Sequence, residues 1–389
     1  MNRILLIAPP FYRLMGSHYN GLHLGIGYIA AVLKVHGHSV KLYNADYYGN
    51  DEYLNQRQLL ENSLSYKTIL NSPTHPIWAE IRDKITSFTP EFLGITMATA
   101  NYKAAKNIAK IAKDIDRNIK VVVGGAHPTL DPEGTSAEEE FDYIVRGEGE
   151  FTFLELAEGK DEDEIKGLSF KKNYKIIHNK SRTFIKDLDT LPFASRDLFL
   201  NDTQYLDFGN VITGRGCPFS CSYCASPRLW QRTTRFRSVS NVVKELEDLR
   251  MHYNSPIVHF VDDTFTINKN RTKNICQQII DRQLAIKWVC DTRANCLDKE
   301  LVALMSKAGC IRVKIAAESG SDRILKSVRK GLTKRHILKA AELIKEQGLP
   351  LTVYFMVGFP NETDVDLRQT IKLAKELQAD YYSLSVLAP

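Results

Sequence analysis

Cys217, Cys221 and Cys224 stand in a CxxxCxxC spacing within VITGRGCPFSCSYC, residues 211–224. Three thiolates on one short loop can hold three irons of a 4Fe-4S cluster. Such clusters ordinarily take four cysteines, so one iron is left open to another ligand. A dithiol redox site needs only one CxxC, and a structural zinc site shows a fourth Cys or a His at matching spacing nearby, so both fit less well. The other cysteines, Cys276, Cys290, Cys296 and Cys310, have no motif spacing and read as small buried apolar residues.

Further residues suited to chemistry follow apolar runs downstream. Strands are expected near 210–213, 257–261, 286–290, 311–317, 351–357 and 381–386, with helices near 239–252, 269–283, 298–308, 333–347 and 364–378. Six strand–helix repeats predict a partial (β/α)6 barrel, whose chemistry belongs at the carboxyl ends of its strands. At those ends stand Asp262 and Asp263 in VDDTF, Arg293 in CDTRAN, Glu318 and Ser319 in IRVKIAAESGS, and Gly358 in VGFPNET. Two adjacent carboxylates need a cationic or hydrogen-bonding partner, although Asp263 could instead cap the next helical region. Arg293 suits an acid, with a surface salt bridge as the competing reading. Alternation along the fourth strand puts Arg312, Lys314, Ala316 and Glu318 on the barrel's inner face, where charges must pair or meet a ligand. A structural Lys314–Glu318 pair is the plainer reading.

The cysteine loop together with these strand ends resembles the radical S-adenosylmethionine (SAM) superfamily. The resemblance implies that the open iron is chelated by the amino and carboxylate groups of SAM. Reductive cleavage of the sulfonium would then give methionine and a 5′-deoxyadenosyl radical that removes hydrogen from a substrate. It assigns Cys217, Cys221 and Cys224 as the metal ligands and catalytic centre. By position it assigns Asp262, where many members have GGE, to the SAM amino group, and Arg293 to the SAM carboxylate or a substrate acid. Glu318 would accept from SAM hydroxyls with Ser319 nearby, while Gly358 would let the adenine approach the backbone and Tyr223 would pack on it. Two departures are visible: Ala316 where the family often has Gly, and Asn361 where its PGET has Gly, which a left-handed turn tolerates. Phe359 serves equally well as ordinary core.

The first half alternates differently. Strands are expected at 4–8, 40–46, 90–97, 120–125 and 143–150, with helices at 26–36, at 102–115 and from Phe151, and residues 50–88 read as a helical insertion. Continuous Val/Ile/Leu strands alternating with helices predict a Rossmann-like, doubly wound parallel sheet. Ligands then sit beyond the carboxyl ends, at Pro9-Pro10, Thr96 to Asn101, Gly124 to Thr129 and Gly147 to Glu150. These are small, polar or glycine-rich stretches on which a flat ligand could lie close to the backbone.

The run GLHLGIGYIAAVLKVHGHSVKLYNAD, the GGAHPT turn and RGEGE resemble the cobalamin-binding domain that precedes many radical SAM proteins. The resemblance implies cobalamin contacts at Pro10, Thr96, Thr99, Gly124, Gly125, His127, Thr129, Glu148 and Gly149. No DxHxxG motif supplies a lower axial histidine; His23 and His127 both lie in other contexts, so a cobalt without a histidine below it is expected. The plainer alternative is that GGAHPT and RGEGE only form turns and helix starts, with Glu148 and Glu150 complementing the dipole.

Length and composition fit this division. The 389 residues suit two domains, assigned as 1–155, a linker 156–205 with a β-hairpin turning at Asn173, and 206–389. A net charge of +6, from 52 basic and 46 acidic residues, makes no case for nucleic acid. The apolar run in MNRILLIAPP is too short for a signal core or a membrane span. Unpaired cysteine spacing fits a cytoplasmic setting. In the resembled family more chain follows the sixth strand, so truncation after SVLAP is expected, with substrate-selecting residues beyond it. By resemblance the activity is cobalamin-dependent methylation of a small-molecule or lipid substrate, with an electron donor such as flavodoxin or ferredoxin. The alternatives are radical cyclisation or rearrangement without methyl transfer, and a non-catalytic cobalamin or SAM sensor. A second cluster of the methylthiolating kind is disfavoured because residues 1–216 hold no cysteine.

Overall fold

The computed structural model describes residues 1–50, 52–253, 255 and 257–387. The chain folds as two units, residues 1–186 with 190–208, and residues 187–189 with 209–389.

In the first unit the apolar runs become β1 (Arg3–Ala8), β2 (Ser39–Asn44), β3 (Phe92–Thr96), β4 (Lys120–Gly124) and β5 (Tyr143–Val145), all parallel. The sheet order β2-β1-β3-β4-β5 places the topological switch point between β1 and β3, where Pro10 follows one strand and Thr96 ends the other. Both faces of the sheet are covered, which is why Leu5, Leu6, Ile7, Val121 and Val123 are all buried without alternation. On one face the 50–88 segment contributes helices Gln56–Leu70 and Pro76–Phe88. Ile77, Ile81 and Ile85 share a core there with Ile108 and Ala112 of the helix Tyr102–Ile115. The insertion is therefore a layer of the domain.

Residues 156–205, expected as a linker, extend this same sheet. β6 (Leu168–Lys172) adds antiparallel to β5, and β7 (Lys175–His178) adds to β6 through a turn in which Asn173 and Tyr174 both take positive φ. That turn is the two-residue hairpin type whose twist matches the flanking strands. Leu191 and Ala194 are buried in the same unit.

The second unit opens with β8 (Asn210–Val211), followed by a two-residue pair, β9 (Gly214–Arg215) and β10 (Arg235–Phe236). Then come β11 (Val258–Phe260), β12 (Trp288–Thr292), β13 (Cys310–Glu318), β14 (Leu351–Val357) and β15 (Tyr381–Val386). The order β8-β11-β12-β13-β14-β15, parallel throughout, is the partial six-stranded barrel read from the sequence. Helices pack outside it through Val242 and Leu246, Ile275 and Ile279, Leu301 and Met305, and Ile337 and Ile344.

Trp288 centres this packing. It is fully buried edge-on against Phe260 and Phe265 at 5.2 and 5.6 Å, and its indole N–H donates to the Ala308 carbonyl at 2.8 Å. Trp288→Ala is expected to cost the second unit about 3–5 kcal/mol in urea unfolding, with Trp288→Phe recovering most of it. A loss below about 1 kcal/mol would contradict this packing role.

Candidate functional site

The cysteine loop has little regular structure of its own. It leaves β9 at Gly216, whose φ of 92° is left-handed, and ends at the short helix Ser226–Trp230. A Cβ at Gly216 would overlap the carbonyl oxygen of Thr233, so only glycine turns the chain into the loop. Cys217 is half-buried, Cys221 buried and Cys224 exposed. Burial pushes the thiols of Cys217 and Cys224 up, and the nearby Asp263 carboxylate adds to this.

Two cations from elsewhere in the second unit brace the loop, one beyond a strand end and one from the segment after the helix Asp322–Ser327. Arg293, beyond the end of β12, lays its guanidinium 3.6 Å from the Phe219 ring centroid, donates from Nη1 to Cys221 Sγ at 3.5 Å, and donates from Nη2 to the Lys330 carbonyl. Lys330 donates from Nζ to Tyr223 Oη and to Glu318 Oε1, both at 2.9 Å. Tyr223 Oη donates to the same Glu318 oxygen at 2.8 Å, and Ser222 N–H donates to the Val328 carbonyl at 3.0 Å. The Tyr223 hydroxyl is pushed up in pKa by burial and by the Glu318 charge, so it stays a donor. Tyr223 meets Phe359 edge-on at 5.9 Å.

Glu318 reaches this position through an irregularity. The β13–β14 register shifts between Ala316 and Glu318, and Glu318 takes φ 64°. The bulge swings its carboxylate to Lys330. The Lys314–Glu318 pair, the alternative to a ligand-facing role, does not form. Lys314 lies four residues lower, roughly 13 Å at strand rise, and contacts His259 Nε2 at 3.2 Å, which sits 2.7 Å from Asp291 Oδ2. Tyr354 also bonds Asp291, giving the barrel interior a second polar layer.

Several assigned residues face elsewhere. Asp262 is buried, and both its oxygens accept from Thr213, from the backbone N–H at 3.0 Å and the hydroxyl at 2.7 Å; Arg271 completes the cluster by donating to the Thr213 carbonyl at 2.8 Å. It ties β8 to β11 and turns away from the rim. Asp263 is exposed, accepts from Ser226 Oγ at 2.7 Å and faces the thiols. Strand alternation carried past β11 predicts this, because His259, Val261 and Asp263 share one face. Ser319 is fully buried and bonded to Thr370 Oγ1 at 3.2 Å, on the helix Asp364–Leu377. It serves packing beside the rim. Gly358, at φ 85°, stays at the strand end; Glu362 accepts its N–H at 2.7 Å, and Asn361 takes φ 63° in the left-handed turn expected of it. Lys330 was missed, since a lysine in the loop SVRKGLT gives no sequence signal of burial.

In the first unit the ends of β3, β4 and β5 bring together Thr96, Thr99, Gly124, Gly125, His127 and Thr129. Thr99 Oγ1 lies 3.0 Å from His127 Nδ1, and the His127 ring packs against Tyr102 at 4.9 Å. Thr129 Oγ1 donates to the Gly125 carbonyl at 2.7 Å and accepts the Gly147 N–H at 2.9 Å. Gly147, at φ 76°, opens on free space. Two assigned residues do other work. Glu148 is buried, and its Oε2 accepts the Ile185 N–H at 2.7 Å. Gly149 lies where a Cβ would crowd Ile29, so it serves the approach of two helices. Pro10 is buried behind β1, where the Asp46 carboxylate gathers the N–H groups of Phe11, Tyr12 and Arg13.

Residues 211–374 match the radical SAM superfamily, and residues 17–157 match the B12 binding domain. The chain belongs to the radical SAM superfamily, in the group that carries an N-terminal B12-binding domain. It is 35% identical over 399 residues to the "Uncharacterized methyltransferase PH0819" of Pyrococcus horikoshii, covering all of this chain and 81% of that protein. It is 30% identical over 326 residues to the anaerobic magnesium-protoporphyrin IX monomethyl ester cyclase of Rubrivivax gelatinosus, covering 80% of this chain but only 58% of the cyclase. The structure of the radical SAM methyltransferase TsrM from Kitasatospora setae superimposes with a TM-score of 0.79 at 18% identity, over 98% of this chain and 72% of that one, a likeness of fold. Membership makes the chain an enzyme whose cofactors are a 4Fe-4S cluster, SAM and cobalamin. Among the described residues no helix is long and apolar enough to cross a membrane.

The residues present fit these groups. Arg293 is 5% exposed, and its Nε has no hydrogen-bond partner, so the rim holds a buried donor awaiting an acceptor. Open backbone at Gly147 beside polar Thr99 and Thr129 suits a broad ligand on the first unit.

Gly216→Ala is expected to destabilise the second unit by about 2 kcal/mol or more and to leave iron content after reconstitution below wild type; full iron loading would show that the turn does not set the loop. Acid should act oppositely on the two units. Burial pushes Asp262 up to about 6 from 3.8, so the folded state holds a proton that the unfolded state has lost, and the second unit loses on the order of 3 kcal/mol as pH rises from about 4 to about 6. Burial pushes His23 down to about 4 from 6.5, so the first unit instead loses stability as pH falls through that window. Asp262→Asn and His23→Gln should each remove one limb in unit-resolved limited proteolysis; unchanged profiles would refute the assignments.

Proposed function

We propose that this chain methylates an unactivated carbon of a small-molecule or lipid substrate, with Cys217, Cys221 and Cys224 each holding one iron of the cluster. The observation that carries the reading is the rim of the second unit, where three thiols of graded exposure stand on one loop that two buried cations hold through Cys221 and Tyr223. When bound, the cluster and SAM supply a carbon-centred radical, and cobalamin supplies a transferable methyl group.

The protein's part is to bind, orient and exclude water. Glu318 uses Oε1 for Tyr223 and Lys330, leaving Oε2 to accept from the sugar hydroxyls of SAM. Asp263 takes the role that position first suggested for Asp262, accepting from the SAM amino group. Tyr223 and Phe359 form an apolar wall for the adenine, and Gly358 leaves the backbone approachable beside it. In the first unit Thr96, Thr99 and Thr129, with the backbone of Gly124, Gly125 and Gly147, form the bed for cobalamin. His127 is held by Thr99 and would serve that bed as a hydrogen-bonding group.

The name of the Pyrococcus relative supports methyl transfer. The Rubrivivax relative, named a cyclase, favours ring formation as the second reading. A flavodoxin or ferredoxin delivers the electron, and the unpaired cysteines, including the neighbouring Cys290 and Cys310, suit the reducing cytoplasm.

Anaerobic reconstitution with iron, sulfide, cobalamin, SAM and reductant, followed by mass measurement of products, tests the proposal. A gain of one CH2 on the substrate supports methylation, whereas loss of hydrogen without carbon gain replaces it with cyclisation. 5′-Deoxyadenosine should form and disappear in Cys221→Ala. Its absence from the loaded wild-type protein would leave only a sensor.

A further inference from the structure

Arg293 is a buried cation without an anion. The residue is 5% exposed, and among the described residues it forms no ion pair with a carboxylate, unlike Lys330, whose charge Glu318 matches at 2.9 Å. Its three anchors are the Phe219 ring, the Lys330 carbonyl and the sulfur of Cys221. A buried charge left uncompensated is costly, and such a group is retained where an opposite charge arrives later. The sulfur it already touches becomes that charge once Cys221 is a thiolate on iron.

We infer that Arg293 is the residue that tunes the cluster's reduction potential, by placing an uncompensated positive charge and an N–H donor on the Cys221 sulfur. A hydrogen bond to a ligating sulfur and a nearby cation both favour the more reduced, more negative state of the cluster, and thus raise its potential. The stacked Phe219 ring and the Lys330 carbonyl fix the guanidinium in plane, so its fork cannot leave the sulfur when the redox state changes. This is a positioning and electrostatic role toward the Cys221 sulfur, distinct from binding the SAM carboxylate, which would draw on the remaining N–H groups such as the unpartnered Nε.

The inference rests on the cysteine loop holding the cluster, and its test separates the two. Wild type, Arg293→Lys and Arg293→Gln are reconstituted with iron and sulfide without SAM. Iron content and the reduced-cluster EPR signal are then followed in a potential-controlled anaerobic titration. Lys keeps the charge but loses the fork; Gln keeps a donor but loses the charge. Arg293→Gln is expected to lower the ratio of reduced to oxidised cluster at fixed potential about tenfold, a shift of about 59 mV for a one-electron couple, with Arg293→Lys between it and wild type. Equal potentials in all three overturn the inference, and if they coincide with weakened SAM binding in Arg293→Gln, the residue serves the SAM carboxylate instead. If Arg293→Gln fails to load iron, Arg293→Lys decides alone, and a wild-type potential in it overturns the fork's role. Absence of a cluster in wild type would fault the cysteine assignment itself.

Discussion

The rim of the second unit depends on one constraint: buried cations must find acceptors within the barrel mouth. The cysteine loop has no ladder of its own and would not hold a single shape from local preference. It is fixed from outside by Arg293 on the Cys221 sulfur and by Lys330 on Tyr223. Both cations are within a few per cent of complete burial, so each N–H left without an acceptor is costly. Supplying acceptors ties β12, β13 and the segment after the helix Asp322–Ser327 to one loop. The loop is thereby held by side chains that lie outside it.

The same logic accounts for the strain at Glu318. A non-glycine residue at positive φ costs about 1–3 kcal/mol and persists only where its surroundings enforce it. Here a regular strand would leave Lys330 without its carboxylate and Tyr223 without its acceptor. The bulge after Ala316 resolves this by lengthening β13 at the rim, while Val313, Ile315 and Ala317 stay buried against the helices. Packing outside and charge matching inside thus act on one strand, and the backbone yields where the two demands meet.

Elements set by local pattern were legible in the sequence. The strands of both sheets, the hairpin at Asn173 and the CxxxCxxC loop depend on contiguous spacing, which composition and periodicity report directly. Residues whose roles depend on distant partners were harder to read. Lys330 lies 107 positions from the Tyr223 it contacts, and nothing local marks it as buried. Ser319 and Glu148 were read from their neighbours in a motif, yet a helix hydroxyl claims the first and the Ile185 amide claims the second. The residues 156–205 were read as a linker because their polarity changes, whereas strand pairing at the free edge beside β5 recruits part of them into the sheet.

Asp262 and Asp263 show how far alternation alone could have gone. Adjacent residues at a strand end point to opposite sides, so a doublet of carboxylates cannot serve one site twice. Phe260 is fully buried, so Asp262 shares its side and enters an environment where only bonded carboxylates survive; Thr213 supplies two donors and Arg271 a nearby charge. Asp263 shares its side with His259 and Val261, toward the interior, and emerges beside the thiols. Position relative to a family motif pointed to the first carboxylate, whereas strand parity points to the second. Parity is the stronger argument because reversing it would bury an unpaired charge on the packed face.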